Sequence, residues 1–259
     1  MMFLWWITYF SISITVVYGN FARKIYGGKD VHIDKFPFQV SVQIRNYHIC
    51  GGAIISNNHV LTAANCVLAE RDVVYGNIQV LSGTRDIMYE PSTHDKKIIQ
   101  VSHVIFHMMY DPLNNWINDI AILKLESPMT FTRALREPAR VPPRNTLGRI
   151  YHVTGWGVDP VTLDLSRYLQ RFEVNSIHPG ICKLRYYKET DLSSTQYCFI
   201  PTLPTSGVSQ GAGGSPVMYG RQILGVISLD SLDVNQPAIY TDAFGHKSWI
   251  EKMTARIII

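Results

Sequence analysis

The segment Gly211-Ala212-Gly213-Gly214-Ser215-Pro216-Val217 decides the fold of this chain when it is taken together with two others. The second segment is Leu61-Thr62-Ala63-Ala64-Asn65-Cys66, and the third is Asn118-Asp119-Ile120-Ala121. Acyl transfer by a side-chain nucleophile requires a hydroxyl, a base and a carboxylate. Asp119 supplies the carboxylate. The hydroxyl and the base are missing at the positions discussed below.

Composition places the chain among globular proteins. It has 259 residues, and 46% of them are hydrophobic while 17% are charged, which leaves ample material for a core. The formal net charge of +4 is too small to argue for nucleic acid or an anionic membrane as a partner. No internal repeat, low-complexity tract or linker divides the sequence.

The first 19 residues carry no charge and are strongly apolar, with Phe3, Leu4, Trp5, Trp6 and Ile7 in one run. This pattern predicts a signal peptide over residues 1–19 and therefore a secreted, extracellular protein. The alternative is a membrane anchor, but the stretch is short for a hydrocarbon core of about 30 Å.

The cysteines form two pairs with matched separations, Cys50 with Cys66 and Cys182 with Cys198. An even number of cysteines in a secreted chain predicts two disulfides. A metal site would need tighter spacing and clustered histidines, so neither a metal nor another cofactor is predicted.

Short apolar runs separated by Gly, Pro and Asn clusters predict an all-β sandwich or barrel. Alternation over 38–44 indicates a half-buried strand. Further runs occur at Ile54-Ile55, Val80-Leu81, Ile98–Val101, Ile120–Leu125, Tyr151–Thr154 and Ile223–Ile227. One helix is predicted at the C-terminal end, with Asp242 as its N-cap region and Trp249, Ile250 and Met253 on one face.

Five further segments occur in a diagnostic order: Lys24–Gly28, Phe36–Val42, His48–Gly52, Thr154–Gly157, and Tyr240-Thr241 followed by Trp249-Ile250. With the first three segments they make the chain resemble the trypsin-like serine proteases. The resemblance implies two six-stranded antiparallel β-barrels of the chymotrypsin type, a C-terminal α-helix and a cleft between the barrels. It also implies a propeptide-like segment over residues 20–24 and a degenerate peptidase domain over residues 25–259.

Active members of this family read GDSGGPV and LTAAHC, so Gly213 stands at the nucleophile position and Asn65 at the general-base position. Losing either group alone costs a triad enzyme about 10⁶-fold in turnover. The resemblance therefore implies a pseudoprotease and no enzyme activity. Asp119 is then a structural carboxylate, which the family pattern predicts to accept hydrogen bonds from Asn65, Ala64 and Ser228.

The resemblance also implies a degenerate substrate cleft. Ala212 replaces the Asp that pairs with the new N-terminus after cleavage at Lys24–Ile25, so the amides of the oxyanion-hole remnant, Gly211 and Gly213, are expected to point the wrong way. A buried charge without its partner costs about 3–5 kcal/mol. The remaining altered cleft positions are Gly207 at the pocket base, Ser228, Leu229 and Asp230 on the substrate strand, Ala238 on the pocket wall, and Ser209 in place of a cysteine.

Two alternatives for chemistry stay open in the sequence. Ser215 could be a relocated nucleophile of a residual hydrolase, although no histidine stands at a motif position beside it and a glycine replacement in a tight loop explains it too. The acidic residues Asp86, Glu90 and Asp95 form a pattern too weak for a calcium site.

Within the family, the chain resembles the group 3 mite allergens and the inactivated serine protease paralogues of the scabies mite. This resemblance implies binding to host plasma proteins, including interference with complement. A secreted protein kept for abundance or antigenicity is the bland alternative. Binding would then reside on surface loops, for which the candidates are Tyr110–Trp116, Lys183–Gln196 and Leu229–Gln236, with Arg185, Tyr186 and Tyr187 as the aromatic and basic side chains.

Overall fold

The structure is a computed structural model, and it describes residues 28–70, 72–88, 97–143, 149–158, 164–188, 192–208, 210–229 and 236–255. Several predictions fall outside these residues. They are the signal peptide over 1–19, the propeptide-like segment over 20–24, the Lys24–Ile25 bond, Glu90, Asp95, Ser209 and Asp230.

The first half of the chain forms a closed antiparallel barrel of six strands. These strands are β2 (Gln39–Ile44), β3 (Tyr47–Ile54), β4 (His59–Thr62), β7 (Ile78–Ser82), β8 (Lys97–Phe106) and β9 (Ala121–Leu125). They are hydrogen-bonded in the order β2-β3-β4-β9-β8-β7. Between β4 and β7 in the chain, β5 (Leu68–Glu70) and β6 (Val73–Val74) pair as a separate two-stranded sheet.

The second half forms another antiparallel ring of six strands. These strands are β10 (Ile150–Gly155), β11 (Gln170–Ile177), β12 (Gln196–Pro201), β13 (Pro216–Tyr219), β14 (Gln222–Leu229) and β15 (Ala238–Asp242). Their order is β11-β10-β13-β14-β15-β12, and pairing of β11 with β12 closes the ring, while β1 (Lys29–Asp30) adds to β11. The predicted pair of six-stranded barrels is confirmed.

Strand β2 differs from its expected half-buried pattern, because five of its six residues are buried. Val40 and Val42 lie in the core, while the polar side chains are hydrogen-bonded instead of solvated. Thr154 of the second barrel donates to Oε1 of Gln39 at 2.7 Å, and Ser41 bonds to His48 at 2.8 Å. Alternation in this strand therefore marks an apolar face and a polar face that are both covered.

The C-terminal helix α2 spans Lys247–Ala255. Earlier in the chain, a short turn α1 (Pro179–Ile181) continues into a π-helical turn over Cys182–Tyr186. Ile250 is buried, and Trp249 and Met253 pack against the first core, as predicted. The prediction of Asp242 as the N-cap region is wrong. Asp242 ends β15, and its carboxylate accepts a hydrogen bond from the Gly245 amide at 2.7 Å in the turn that precedes the helix.

Candidate functional site

The three predicted triad positions meet where the two barrels come together. Asn65 lies in a 3₁₀ turn (Ala64–Cys66) directly after β4, and Asp119 lies just before β9. Strands β4 and β9 are paired, which places both residues at the same end of the first barrel. Gly213 comes from the loop before β13, and Ser228 comes from β14 of the second barrel. The site is therefore built from both halves of the chain.

Asp119 is fully buried and is held by a set of donors. The Asn65 backbone amide donates to Oδ1 at 2.8 Å, while the Asn65 side-chain amide and the Ser228 hydroxyl donate to Oδ2 at 2.8 and 2.6 Å. Burial raises the pKa of the Asp119 carboxyl to about 7, and hydrogen bonds from Ser228, Asn65 and Ala64 oppose that rise. These are the donors that the family pattern predicted.

The Asn65 side chain occupies the place of a general base without its chemistry. Its Nδ2 donates both to Asp119 and to the Ser228 carbonyl, each at 2.8 Å. Because the Ser228 carbonyl can only accept, Nδ2 must face it, and Oδ1 is turned away from both partners. Oδ1 lies 3.8 Å from the position that a Cβ on Gly213 would take. An amide takes up no proton near neutral pH, so Asn65 can orient neighbouring groups but cannot accept a proton.

Backbone hydrogen bonds hold the loop over 210–215, which carries the substituted position 212. The carbonyl of Gln210 accepts from the Val158 amide at 3.3 Å, and the carbonyl of Ala212 accepts from the Ser215 amide at 3.0 Å. The Gly213 carbonyl accepts from the Gly51 amide at 2.8 Å. The loop therefore has a defined backbone.

His48 fixes the same loop at Gly211. Its Nε2 lies 2.9 Å from the Gly211 carbonyl, which can only accept, so Nε2 carries the proton and Nδ1 accepts from the Ser41 hydroxyl. Burial lowers the pKa of His48 to about 4, opposed by hydrogen bonds to the Gly211 and Trp156 backbone. Gly211 has φ = +93°, a conformation that favours glycine. Sequence reasoning missed this role because His48 and Gly211 are 163 positions apart.

The altered cleft positions lie mostly in apolar surroundings. Ala212 is fully buried and belongs to the core of the second barrel, together with Ala238 at the start of β15. Gly207 is buried, and Leu229 packs against the small cluster around Cys182. A carboxylate at position 212 would therefore be placed among hydrocarbon side chains in this arrangement.

Ser215 is fully buried, which argues against its use as a relocated nucleophile. Its Oγ has no hydrogen-bond partner among the residues that the structure describes. The Ser215 side chain occupies the space that a side chain on Gly51 would need, so it fills the gap left by that glycine. A buried hydroxyl cannot reach a substrate carbonyl, and without a base it is not activated as a nucleophile.

Both predicted disulfides are confirmed. Cys50–Cys66 lies beside the site, since a Cβ on Gly213 would be 3.4 and 3.5 Å from its two sulfur atoms. Cys182–Cys198 lies in the third apolar cluster. Within the described ranges, no group of three or more His, Cys, Asp or Glu side chains could hold a metal ion. In the same ranges, no helix is long and apolar enough to cross a membrane.

The predicted surface loops differ in what they expose. In the loop Tyr110–Trp116, Leu113 is 90% exposed and Trp116 has φ = +52°, and Met108, two residues before this loop, is 89% exposed. In the second loop, Arg185 is exposed and lies over the Tyr186 ring. Tyr187 is instead structural, because its hydroxyl donates to the Pro237 carbonyl and its ring packs on the third cluster. Most of the third loop lies beyond the described residues.

Comparisons with known proteins agree with this architecture. The family model for trypsin matches residues 25–250. The chain is 28% identical over 254 residues to a trypsin of Phaedon cochleariae, covering 95% of this chain and 94% of the relative. It is 30% identical over 238 residues to a trypsin of Sarcophaga bullata, covering 88% of each.

Among solved structures, the scabies mite inactivated protease paralogue S-D1 matches with a TM-score of 0.78. The match covers 89% of this chain and 97% of that one, at 20% identity, and therefore shows a shared fold. With its family match over residues 25–250 and its two closed antiparallel barrels, the chain belongs to the trypsin family.

Proposed function

We propose that this trypsin-family protein is a secreted pseudoprotease that binds other proteins and does not cleave them. The observation that carries this proposal is the site in which Asn65, Asp119 and Gly213 meet. Asp119 is satisfied by Asn65 and Ser228, and Gly213 presents no nucleophile within reach of either. The scaffold is thus assembled in the manner of a protease while the groups that transfer protons and form the acyl intermediate are absent.

The proposed partners are plasma proteins of a host, with complement components to be tested first. This choice rests on the resemblance to the inactivated mite paralogues, whose fold the chain shares. Secretion is supported by the apolar start of the sequence and by two disulfides, which persist in oxidising compartments. The exposed apolar side chains Met108 and Leu113 provide surface that a folded partner could cover.

The absence of cleavage is tested with the purified mature protein. It is incubated with a serine-directed fluorophosphonate and, separately, with a panel of peptide and ester substrates, beside active trypsin as the positive control. We expect no stoichiometric label and no turnover above background. Stoichiometric labelling together with turnover would show that the chain is a hydrolase.

The binding half of the proposal is tested in plasma. Immobilised protein is exposed to host plasma, and retained proteins are identified and examined for new chain termini. Leu113→Ser removes the most exposed large apolar side chain among the described residues, and Ser102→Ala, at an exposed serine of β8, is the matched surface control. We expect one or a few uncleaved proteins to bind the wild type and the control. If neither the wild type nor the control retains a complement component, the choice of partner is wrong.

A further inference from the structure

Strand β8 has a strand partner on only one of its edges over its second half. Strand β7 pairs with β8 over Lys97–Gln100 and no further. From Val101 to Phe106, the described residues pair with β8 only through β9. The register against β9 shifts at the start of this stretch, and Asn77, just before β7, has φ = +57°, so irregular backbone on both strands ends their pairing. The edge of residues 101–106 that lies away from β9, called here the β8 edge, therefore presents backbone N–H and C=O groups that an added strand can pair with.

The missing neighbour also leaves the side chains of β8 uncovered. One of its ten residues is buried, whereas all five residues of β7 are buried. Val101, Val104 and Ile105 pack against the core of the first barrel, yet each remains half-buried. Ser102 differs, because its hydroxyl donates to the Lys124 carbonyl of β9 at 3.0 Å and contributes nothing to the edge. An added strand would cover the apolar groups together with the backbone edge.

A cleft of about 290 Å³ lies along the β8 edge. One wall of the cleft includes Val74 and Tyr75, whose side chains are each 40% exposed. Val101 and Val104 line the β8 wall, so the cleft offers apolar contacts from two separate parts of the chain. Successive side chains of a strand point to opposite faces, so every second residue of an added strand would point into the cleft.

Glu126 makes one end of the cleft negative. Its backbone amide donates to the Gln100 carbonyl at 2.9 Å, which places Glu126 beside the last residue of β8 that pairs with β7. Glu126 lines the cleft and is exposed, and among the described residues no cation forms an ion pair with its carboxylate. A lysine or arginine of a partner would be attracted to this end.

We propose that the β8 edge binds an extended segment of a partner protein as an added strand. The backbone of the segment pairs with residues 101–106, its alternate apolar side chains enter the cleft beside Val74 and Tyr75, and a lysine or arginine lies next to Glu126. A helix satisfies its own backbone groups and offers none to the edge. This inference rests on the proposed function, which it deepens by assigning one binding surface and the conformation of the segment that fits it.

The test uses the peptide acetyl-Val-Thr-Val-Thr-Val-Lys amide and ¹⁵N-labelled protein at pH 7.5. Two further versions carry N-methyl groups, one on the three valines and one on the other three residues. Consecutive N–H groups of a strand point to opposite edges, so each version blocks one edge of the peptide. We expect saturable shifts of the backbone amides of residues 101–106 with the parent peptide and with one methylated version. The other version loses its hydrogen bonds to β8 and should bind at least about tenfold more weakly.

Two protein variants test the charge and the wall of the cleft. A peptide with glutamate in place of lysine should bind the wild type about fivefold more weakly than the parent peptide, and Glu126→Gln should remove that preference. Glu251→Gln, at an exposed carboxylate of α2, is the matched control and should retain it. Tyr75→Ala should weaken binding of the parent peptide by about fivefold. Tyr47→Ala, at a more exposed tyrosine of β3, should leave it unchanged.

Three results of the titrations would each overturn the inference. They are a lack of saturable shifts at residues 101–106, equal binding of the two methylated versions, and a lysine preference that survives Glu126→Gln. Shifts of these amides that depend on the concentration of the protein alone would also overturn it, because the edge would then pair two copies of the chain.

Mass spectrometry of the peptide after each titration separates the two proposals. If the protein hydrolyses the peptide, the proposed function itself is wrong. If the peptide stays intact and fails to bind as described, only the inference about the β8 edge is wrong.

Discussion

Asp119 is expected to stabilise the fold through its donors, and the change that tests this is a double-mutant cycle of Asn65→Ala and Ser228→Ala. Each variant removes one donor from Oδ2, at 2.8 and 2.6 Å respectively. At pH 8, where the folded carboxyl is mostly ionised, a hydrogen bond to this charged group contributes about 1.5–3 kcal/mol, so each single variant is expected to lower the free energy of unfolding by that amount. Asn65→Ala should lie at the upper end because it also removes the donor to the Ser228 carbonyl.

The double variant is expected to cost more than the sum of the singles. After one donor is lost, the other still solvates Oδ2, whereas the double variant leaves this buried oxygen without either. Groups that share one network couple by about 0.5–3 kcal/mol. Urea unfolding gives the four free energies, and Ser102→Ala, which removes an exposed hydroxyl that donates to the Lys124 carbonyl, is the control for a simple serine substitution.

The pH dependence follows from the raised pKa of Asp119. The folded carboxyl keeps its proton up to about pH 7, while the unfolded one releases it near 3.8. Its contribution to stability is therefore fully present at low pH and is lost as pH rises through this window. Removing donors raises the folded pKa further, so the variants should lose more stability at pH 8 than at pH 5. Single losses below about 0.5 kcal/mol at pH 8, or losses that do not change with pH, would refute the structural role.

Three further predictions concern the surrounding residues. Ser215→Ala removes a buried hydroxyl without a partner, so urea unfolding should show unchanged or higher stability; a loss above about 1 kcal/mol would mean that the hydroxyl is satisfied. Because the pKa of His48 is lowered, the free energy of unfolding should fall as pH decreases from 6.5 toward about 4. His48→Gln should flatten this slope in unfolding midpoints measured across the window. An unchanged slope would assign the pH dependence to other groups. Thiol titration of the denatured, unreduced protein should read near zero, and each disulfide, with a sequence separation of 16, should contribute about 3 kcal/mol; two free thiols would contradict one pairing, and four would contradict both.

The fold could be predicted from the sequence because its signals are local. Alternating and apolar runs identified seven strand regions, and the ordered motifs supplied the pairing of strands into two barrels. The polar face of β2 could not be interpreted in the same way. Its side chains at Gln39 and Ser41 are satisfied by Thr154 and His48, and only the docked barrels bring those partners close. Alternation of apolar and polar residues predicts that the two faces of a strand differ, but it does not predict which residues cover each face.

The site was predictable in its positions and less so in its geometry. The motifs assigned Asn65, Asp119 and Gly213, and the donors to Asp119 followed from the family pattern. The error at Asp242 came from applying a helix-capping rule to a residue that is the last residue of strand β15. The burial of Ser215 could not be predicted from the sequence, because it depends on the absence of a side chain at Gly51, which lies on β3.

The loop that carries position 212 is held in place without a charge pair. The resemblance to the family implies that an acidic residue here pairs with a new N-terminus and thereby orders the oxyanion hole. Ala212 instead lies in the apolar core of the second barrel, and burying its methyl group requires no partner. Hydrogen bonds from His48 to Gly211 and from Gly51 to Gly213 then fix the loop. The loop is therefore held by contacts with both barrels, which include a hydrogen bond from the Gly214 amide to the Ile227 carbonyl at 2.8 Å.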